Sequence, residues 1–494
     1  MKTWTIVSLA STNGWRSAIR RTTLLALVMA AFTPVWATSI TAAEIESKAD
    51  FQQTVLDKAY RHEKAGWVYL HIEGSARERG YQHGFLLARE ISTGIEAMRG
   101  DWEFRSATEW DWLAEKASAM FEGKVDLENL AELDGIVEGL LAAGVQYSRA
   151  DIIAYNAYLE LIWYWWPKEL KNIKDGKESP GKQSCSAFIA TGSMTVDGGV
   201  VLGHNTMLGY WMALPNVIID IAPEKGHRIL MQTFPGWIHS GTDFFITDAG
   251  LVGAETTIGA FEGFDPEGIP EFSRVRRATQ DADSIGQWCA IMKQGNNGGY
   301  ANAWLLGDVN TGEIARLELG LKHVGFESKR DGYFVGSNIA EDLKILRFET
   351  NTQDTDIRGT VVARRVRWKQ LMAQYAGKID VALGKQFEAD HYDVYRREDH
   401  PGERTLCGHW ELEDRPFQQW PTVPNDPWGT LDAKVVDTKM AKQMSFVARW
   451  GSACGIPFDA GAFLADHQQF EWMKDILQSR PSQPWTEFKA GERQ

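Results

Sequence analysis

At residue 185 the pattern of the chain changes. Upstream, apolar residues recur at helical spacing: Leu113, Ala117, Met120 and Phe121 in one stretch, Leu127, Leu130, Leu133, Ile136, Val137, Leu140 and Leu141 in the next. This helical pattern runs to Trp163-Tyr164-Trp165-Trp166-Pro167, where proline is expected to end it. Residues 168–184 (KELKNIKDGKESPGKQS) are polar, lysine-rich and punctuated by Gly and Pro, and read as a linker. Short strand-like runs follow at once. Ser186–Thr191 and Val200–His204 flank Asp197-Gly198-Gly199, a hairpin turn signal.

Further strands are expected at Val217–Ile221, Ile229–Thr233, Phe244–Thr247, Leu251–Thr257, Ala303–Leu306, Ile314–Leu319, Val324–Glu327 and Tyr333–Val335. Helices are expected over Arg274–Met292, Ile357–Tyr375, Lys439–Arg449 and Gln469–Leu477. Strands grouped between helical blocks imply α+β layers rather than alternating βαβ units. The organisation expected is therefore an export signal over 1–43, a helical segment over 44–167, a linker over 168–184 that is cleaved on maturation, and a strand-rich unit over 185–494.

The signal rests on Arg16, Arg20 and Arg21 ahead of the apolar run Leu24 to Phe32, which is short for a membrane span. Cleavage is expected after Ala37 or Ala43; an uncleaved anchor is the alternative. The Arg20-Arg21 pair loosely matches a twin-arginine signal. A periplasmic or secreted protein without integral membrane insertion is the expectation. A net charge of −14 excludes the basic footprint that nucleic-acid binding needs. Four cysteines in an oxidising compartment invite disulfides. If Cys185 stays free, Cys407 and Cys454 are the expected pair and Cys289 reads as a buried thiol. His-x-x-His and Cys-x-x-Cys spacings are absent, so the sequence indicates no metal site and no cofactor. Nor is there a Gly-x-Ser-x-Gly elbow of a serine esterase.

A cysteine opening the first strand after a linker suits one chemistry well. Its thiol attacks the Ser184 carbonyl, an N-to-S acyl shift gives a thioester, and water releases a new α-amine on Cys185. That amine, with a reference pKa of about 7.7–8, can then serve as the thiol's base. The plain alternative is a small buried residue on a strand.

Ser184-Cys185-Ser186-Ala187-Phe188-Ile189, with Gly203-His204-Asn205-Thr206, resembles the phospholipase B-like family of N-terminal-nucleophile hydrolases, more distantly related to the acyl-coenzyme A:6-aminopenicillanic acid acyltransferase group. So do Gly250 to Gly259 (GLVGAETTIG), Asn296 to Trp304 (NNGGYANAW) and Leu431 to Val435 (LDAKV), all in the family's order. The resemblance implies a four-layer αββα sandwich, self-cleavage between Ser184 and Cys185, and two fragments that stay associated. It implies hydrolysis of acyl esters of a small acyl or lipid substrate. An amidase or acyltransferase on N-acyl amides, or a non-catalytic lipid-binding protein, are the alternatives.

By the same resemblance Cys185 is the nucleophile and His204 lies near it, the alternative being a core histidine. Asn302 matches an oxyanion-hole amide, or else caps the turn before it. Thr257 matches a second pocket residue, or is an ordinary strand threonine. Arg364 resembles an arginine of a helix in the cysteine amidases, a solvated basic helix face being the competing account. Met207 stands where those amidases carry an aspartate. Trp163, Trp165 and Trp166 line an acyl cleft or pack the helices on the sheet.

Overall fold

The computed structural model describes residues 52–173, 185–212, 216–414 and 425–493. The expected export signal, most of the linker and Ser184 lie outside these residues. The strands are β1 (Tyr60–Lys64), β2 (Trp67–Gly74), β3 (Ser186–Thr191), β4 (Val201–Gly209), β5 (Val217–Pro223), β6 (Ile229–Thr233), β7 (Phe244–Thr247), β8 (Leu251–Thr257), β9 (Asn302–Asp308), β10 (Glu313–Leu319), β11 (Val324–Lys329), β12 (Gly332–Gly336), β13 (Tyr392–Asp393), β14 (Glu398–Asp399), β15 (Trp428–Asp437), β16 (Ser445–Trp450) and β17 (Thr486–Lys489). Nine form one sheet in the order β1-β2-β5-β6-β7-β8-β9-β10-β11, and six form a second, β12-β3-β4-β15-β16-β17.

Alternation along the strands makes these sheets the middle of a sandwich. Ala187 and Ile189 of β3 join Ile218, Leu230, Phe244, Ile246, Val252, Ala254 and Leu305 in one core between the sheets. Phe188 and Ala190, one residue out of phase, pack instead with Trp368, Leu371, Met372 and Phe387. On the larger sheet the opposite phase, with Val217, Ile219, Met231 and Phe245, packs against Ile91, Ile95, Phe272 and Trp288. Both faces of both sheets are thus apolar, as a period-two pattern requires of doubly covered strands. The helices Thr360–Gln374 and Val381–Glu388 cover the smaller sheet, and the N-terminal helices with Glu271–Asp281 and Ile285–Lys293 cover the larger. The architecture is the four-layer αββα sandwich expected.

The strands Ser186–Thr191, Ile229–Thr233, Phe244–Thr247 and Leu251–Thr257 fall where the sequence puts them, and β5, β9, β10, β11 and β12 contain the runs expected; a few other segments differ. The helical segment contains the β1–β2 hairpin, whose β2 pairs in parallel with β5. Pro167 does not end the helix: a wider-wound turn at Leu161–Trp165 precedes it and the helix Trp166–Ile173 begins there. Proline is tolerated in a helix's first turn because the missing N–H would have no intrahelical partner. The run Lys439–Arg449 is a single turn, Thr438–Ala441, followed by β16. Phe446 and Ala448 face the inter-sheet core while Val447 faces outward, and burial on both faces hides the alternation. Arg274–Met292 is two helices, the second capped by the Ser284 hydroxyl on the Gln287 N–H. Gln469–Leu477 holds a 3₁₀ turn, Gln468–Met473.

Among the N-terminal helices, Ala76–Leu86 and Leu127–Ala142 approach backbone to backbone. A Cβ on Gly84 would stand 2.2 Å from the Ile136 carbonyl oxygen, and one on Gly139 2.2 Å from that of Tyr81. Neither carbonyl can retreat without moving its helix. Gly84→Ala is therefore expected to lower stability by about 1–3 kcal/mol, the usual cost of overpacking. Gly123→Ala, where a Cβ meets nothing within 4 Å, is the control. Equal denaturant midpoints for the two variants would contradict this close approach.

Candidate active site

Cys185 stands at the mouth of β3, fully buried, with a backbone φ of +79°. A side chain there pays for the left-handed region, so the surroundings must impose it. Arg364 does part of this. Its guanidinium, wholly buried on the helix Thr360–Gln374, donates to the Cys185 carbonyl at 2.8 Å, to Asn338 Oδ1 at 2.7 Å and to Thr360 Oγ1 at 3.2 Å. The solvated face suggested by the sequence is thereby corrected. Asn338 in turn donates to the Thr257 carbonyl at 2.8 Å, which ties the end of β8 to the same knot.

The β3–β4 pairing sets Ala187 opposite His204, so the hairpin brings the histidine to the thiol as expected. Donor atoms of Cys185, His204 and Asp243 lie within 4.8 Å of one another. His204 Nε2 is 3.0 Å from the Glu255 carbonyl, which only accepts, so this nitrogen carries the proton. Nδ1 then holds the lone pair and has no hydrogen-bond partner. Burial, then the Lys434 charge, push the histidine well below its ordinary pKa, so it is neutral.

Asp243 is the residue that sequence reading missed. It precedes β7, and its Oδ2 lies 3.6 Å from Cys185 Sγ and 3.3 Å from the Tyr300 hydroxyl. In the larger sheet β7 pairs with β8, which carries Glu255. Burial raises the Asp243 carboxyl to about 7, against the lowering effects of a hydrogen bond with Glu255 and of Lys434. Glu255, raised well above its usual range by burial and then by the Asp243 charge, keeps the proton. Two buried carboxyls thus share one proton at neutral pH. Burial, then Asp243 and Glu255, raise the Cys185 thiol well above its ordinary value, so it stays protonated until a base takes its proton. Met207, on β4, offers no acid; a carboxylate arrives from Asp243 instead. Its only sequence signal is the Gly241-Thr242-Asp243 turn before a strand, and nothing in the spacing ties it to Cys185.

Thr257 and Asn302 are paired opposite each other at the ends of β8 and β9. The Asn302 amide nitrogen donates to Glu271, which burial raises well above the carboxylate range. In the chain as it stands one N–H of the expected oxyanion donor is thus occupied by a glutamic acid. Lys434, fully buried on β15 opposite His204, donates to Asp432 and to Thr206 Oγ1, both at 2.5 Å.

Of ten non-glycine residues with positive φ among the described residues, four belong to this site: Cys185, Asp243 at +66°, Tyr300 at +51° and Asn338 at +64°. Asn and Asp visit this region readily; Cys and Tyr do not. An aromatic wall adjoins it. Trp163 lies 6.1 Å from both Tyr300 and Trp428 by ring centroids, and Tyr164 lies 6.4 Å from Tyr300. Trp166 packs edge-on to Trp102 within the helices, so the tryptophan cluster serves both the core and the site's border.

The Phospholipase B family model matches residues 115–321, which contain Cys185, His204, Asp243, Thr257 and Asn302 but not Arg364. Over that region the chain is similar to the phospholipase B-like family. It is 31% identical over 160 residues to a phospholipase B-like 2 protein of Mus musculus, covering 28% of this chain and 26% of that one. It is 26% identical over 206 residues to phospholipase B-like protein C of Dictyostelium discoideum, covering 37% and 36%. The chain thus spans about a quarter to two-fifths of the length of the curated relatives it matches. A mutant of the conjugated bile acid hydrolase of Clostridium perfringens aligns at 12% identity and a TM-score of 0.34, over 54% of this chain and 89% of that one, too slight a likeness to define a fold. Among the described residues no helix is long and apolar enough to cross a membrane.

The shared proton has a measurable consequence. A carboxyl raised in the folded state contributes stability that is complete below its unfolded pKa, about 3.9, and is lost as pH rises through the folded value. With Asp243 at about 7 in the fold, wild type should lose stability relative to Asp243→Asn between about pH 4 and 7. Urea midpoints of both proteins across that window check this. A constant gap would mean that Asp243 titrates normally.

Proposed function

We propose that the chain is an exported, self-processing cysteine hydrolase that cleaves acyl esters of lipids. The strained, clamped backbone of Cys185 beside Asp243 is the observation that carries this reading. In the intact chain the thiol is fully buried, which suits a precursor. Its neighbour Asp243, with a carboxyl at about 7, is a base matched to neutral pH.

Processing then runs in balanced steps. Asp243 takes the thiol proton, Sγ attacks the Ser184 carbonyl carbon, and the Ser184–Cys185 C–N bond breaks as the proton passes to the leaving nitrogen. Water hydrolyses the thioester and leaves a free thiol and α-amine on Cys185. In turnover the α-amine is the base, Sγ takes the acyl group from the substrate, and the oxyanion is held by an Asn302 N–H freed from Glu271 together with a backbone N–H. His204, neutral and fixed by Glu255, orients the amine or the substrate. The aromatic wall of Trp163, Tyr164 and Tyr300 suits an acyl chain. The fragment ahead of Cys185 would stay bound, because β2 pairs with β5 over seven residues.

The test is intact mass with N-terminal sequencing of the purified protein beside Cys185→Ala. Two fragments in the wild type, the larger beginning at Cys185, and one uncut chain in the variant are expected. A single uncut chain in both samples would sink the proposal. Once processing is seen, fatty-acid release from phospholipid should vanish in Cys185→Ala and fall roughly 10²–10³-fold in kcat in Asn302→Ala. Release from N-acyl amides but not esters would move the assignment to an amidase, and bound lipid without turnover would make the protein a binder.

A further inference from the structure

Away from the thiol site, three loops converge on a second set of metal-ligating side chains. His391 stands just before β13, Cys407 and His409 lie after β14, and Cys454 follows β16. One donor atom from each lies within 4.8 Å of the other three, which leaves room for one ion at the centre. We propose that His391, Cys407, His409 and Cys454 bind a single Zn²⁺ ion in a tetrahedral S₂N₂ site.

The geometry argues for this ion. Bonds of about 2.3 Å to sulfur and about 2.0–2.1 Å to nitrogen put tetrahedral S···N edges near 3.5 Å. His409 Nε2 lies 3.4 Å from both Cys407 Sγ and Cys454 Sγ. One ring nitrogen makes one directed hydrogen bond, so it cannot serve two sulfurs equally; one cation satisfies all three atoms. Two thiolates with two imidazoles in this geometry favour zinc among the common divalent ions.

The surroundings are built for it. His409 Nδ1 is 2.9 Å from Glu411 Oε1, and the Tyr210 hydroxyl donates to Glu411 Oε2 at 2.7 Å. A carboxylate behind a histidine in this way fixes its tautomer and orients a metal-bound imidazole. The Ile456 N–H points at Cys454 Sγ at 3.4 Å. Gly408, between two of the ligands, is pinned to β15: its N–H donates to Thr430 Oγ1 at 3.0 Å and its carbonyl accepts from the Thr430 N–H at 2.9 Å. His391 Nε2 is buried without a hydrogen-bond partner. Cys407 and His409 are buried while His391 and Cys454 are half-buried, so an ion can enter from one side.

The disulfide expected from the sequence between Cys407 and Cys454 is not formed; both thiols are free. The metal reading escapes motif searches because only Cys407 and His409 are close in sequence. The ion would staple three loops against the sheet. Asn205, the neighbour of His204 on β4, donates to the Leu406 carbonyl at 2.9 Å, so the stapled segment also backs the strand that carries the histidine.

The deciding experiment measures metal by mass spectrometry on the full chain purified without chelator, then titrates chelator-stripped protein with Zn²⁺ and with Co²⁺. One zinc per chain is expected in wild type and in Cys185→Ala, lost in Cys407→Ser and Cys454→Ser. The Co²⁺ form should show tetrahedral visible bands with thiolate charge transfer. Because replacing a buried thiol can also unfold the chain, peptide mapping of alkylated wild type is read beside those serine variants. Two free thiols in zinc-loaded protein support the site. A Cys407–Cys454 disulfide, or no stoichiometric Zn²⁺ uptake by reduced wild type, overturns it.

Discussion

A guanidinium buried in the sandwich fixes where the smaller sheet's chemistry begins. Arg364 makes no ion pair among the described residues; its partners are the Cys185 carbonyl, Asn338 and Thr360. Burial alone brings it down to about 10, so it remains charged at neutral pH and its hydrogen bonds cannot be given up cheaply. A buried cation of this kind holds the Cys185 peptide in a conformation that β3 alone would not choose. Trp368, one turn on along the same helix, donates to Ser186 Oγ at 2.9 Å and holds the next residue too. The helix thus grips two consecutive residues at the head of the strand.

The charges around the thiol then follow from what each layer contributes. The smaller sheet brings His204 and Lys434 side by side on β4 and β15, and the larger brings Glu255 on β8 and Asp243 just ahead of the neighbouring β7. Their meeting lies between the sheets, where each group's charge is costly. Lys434 stabilises an anion there and suppresses a second cation, so His204 is neutral and one of the two carboxyls is ionised. Burial thus leaves a neutral histidine, a single shared carboxyl proton and a protonated thiol side by side.

How much of this is legible in sequence depends on distance along the chain. Cys185 and His204 are joined by one hairpin, and turn signal plus alternation bring them together on paper. Thr257 and Asn302 are placed at the ends of their strands, and the turn before Asn302 is readable. The role of Arg364 is not, because a helix with Arg364, Arg365 and Arg367 in near succession reads as a basic face, and only the docking of that helix on β3 and β12 decides which arginine is buried. Asp243 is hidden for a related reason: sheet order, not spacing, sets it against Cys185. Residues Lys439–Arg449 mislead because a strand buried on both faces loses its visible period. Cys407 and Cys454 are neighbours in space but not the disulfide expected, and His391 and His409 beside them, which alter the chemistry, carry no spacing signal.

The connection between the two halves of the chain is the last constraint. A cut before Cys185 would remove one peptide bond but none of the contacts that hold residues 52–173. β2 completes the larger sheet beside β5, with its outward residues Val68, Leu70 and Ile72 in the core shared with the helices. The helix pair built on Gly80, Gly84, Gly135 and Gly139 is rigid because backbone touches backbone, and its interface buries Glu132 between Arg79 and Arg276 at 2.9 Å from each. Arg276 lies on the helix Glu271–Asp281, which also supplies the Glu271 that engages Asn302. The helical layer therefore reaches the site twice, through Trp163 and Tyr164 on Tyr300 and through this charged chain to Asn302. Under the proposed cleavage, release of the peptide bond would free the backbone at Cys185 to relax from its left-handed conformation while these contacts stay in place. Local freedom at one residue within a rigid frame is what a nucleophile exposed by cleavage requires.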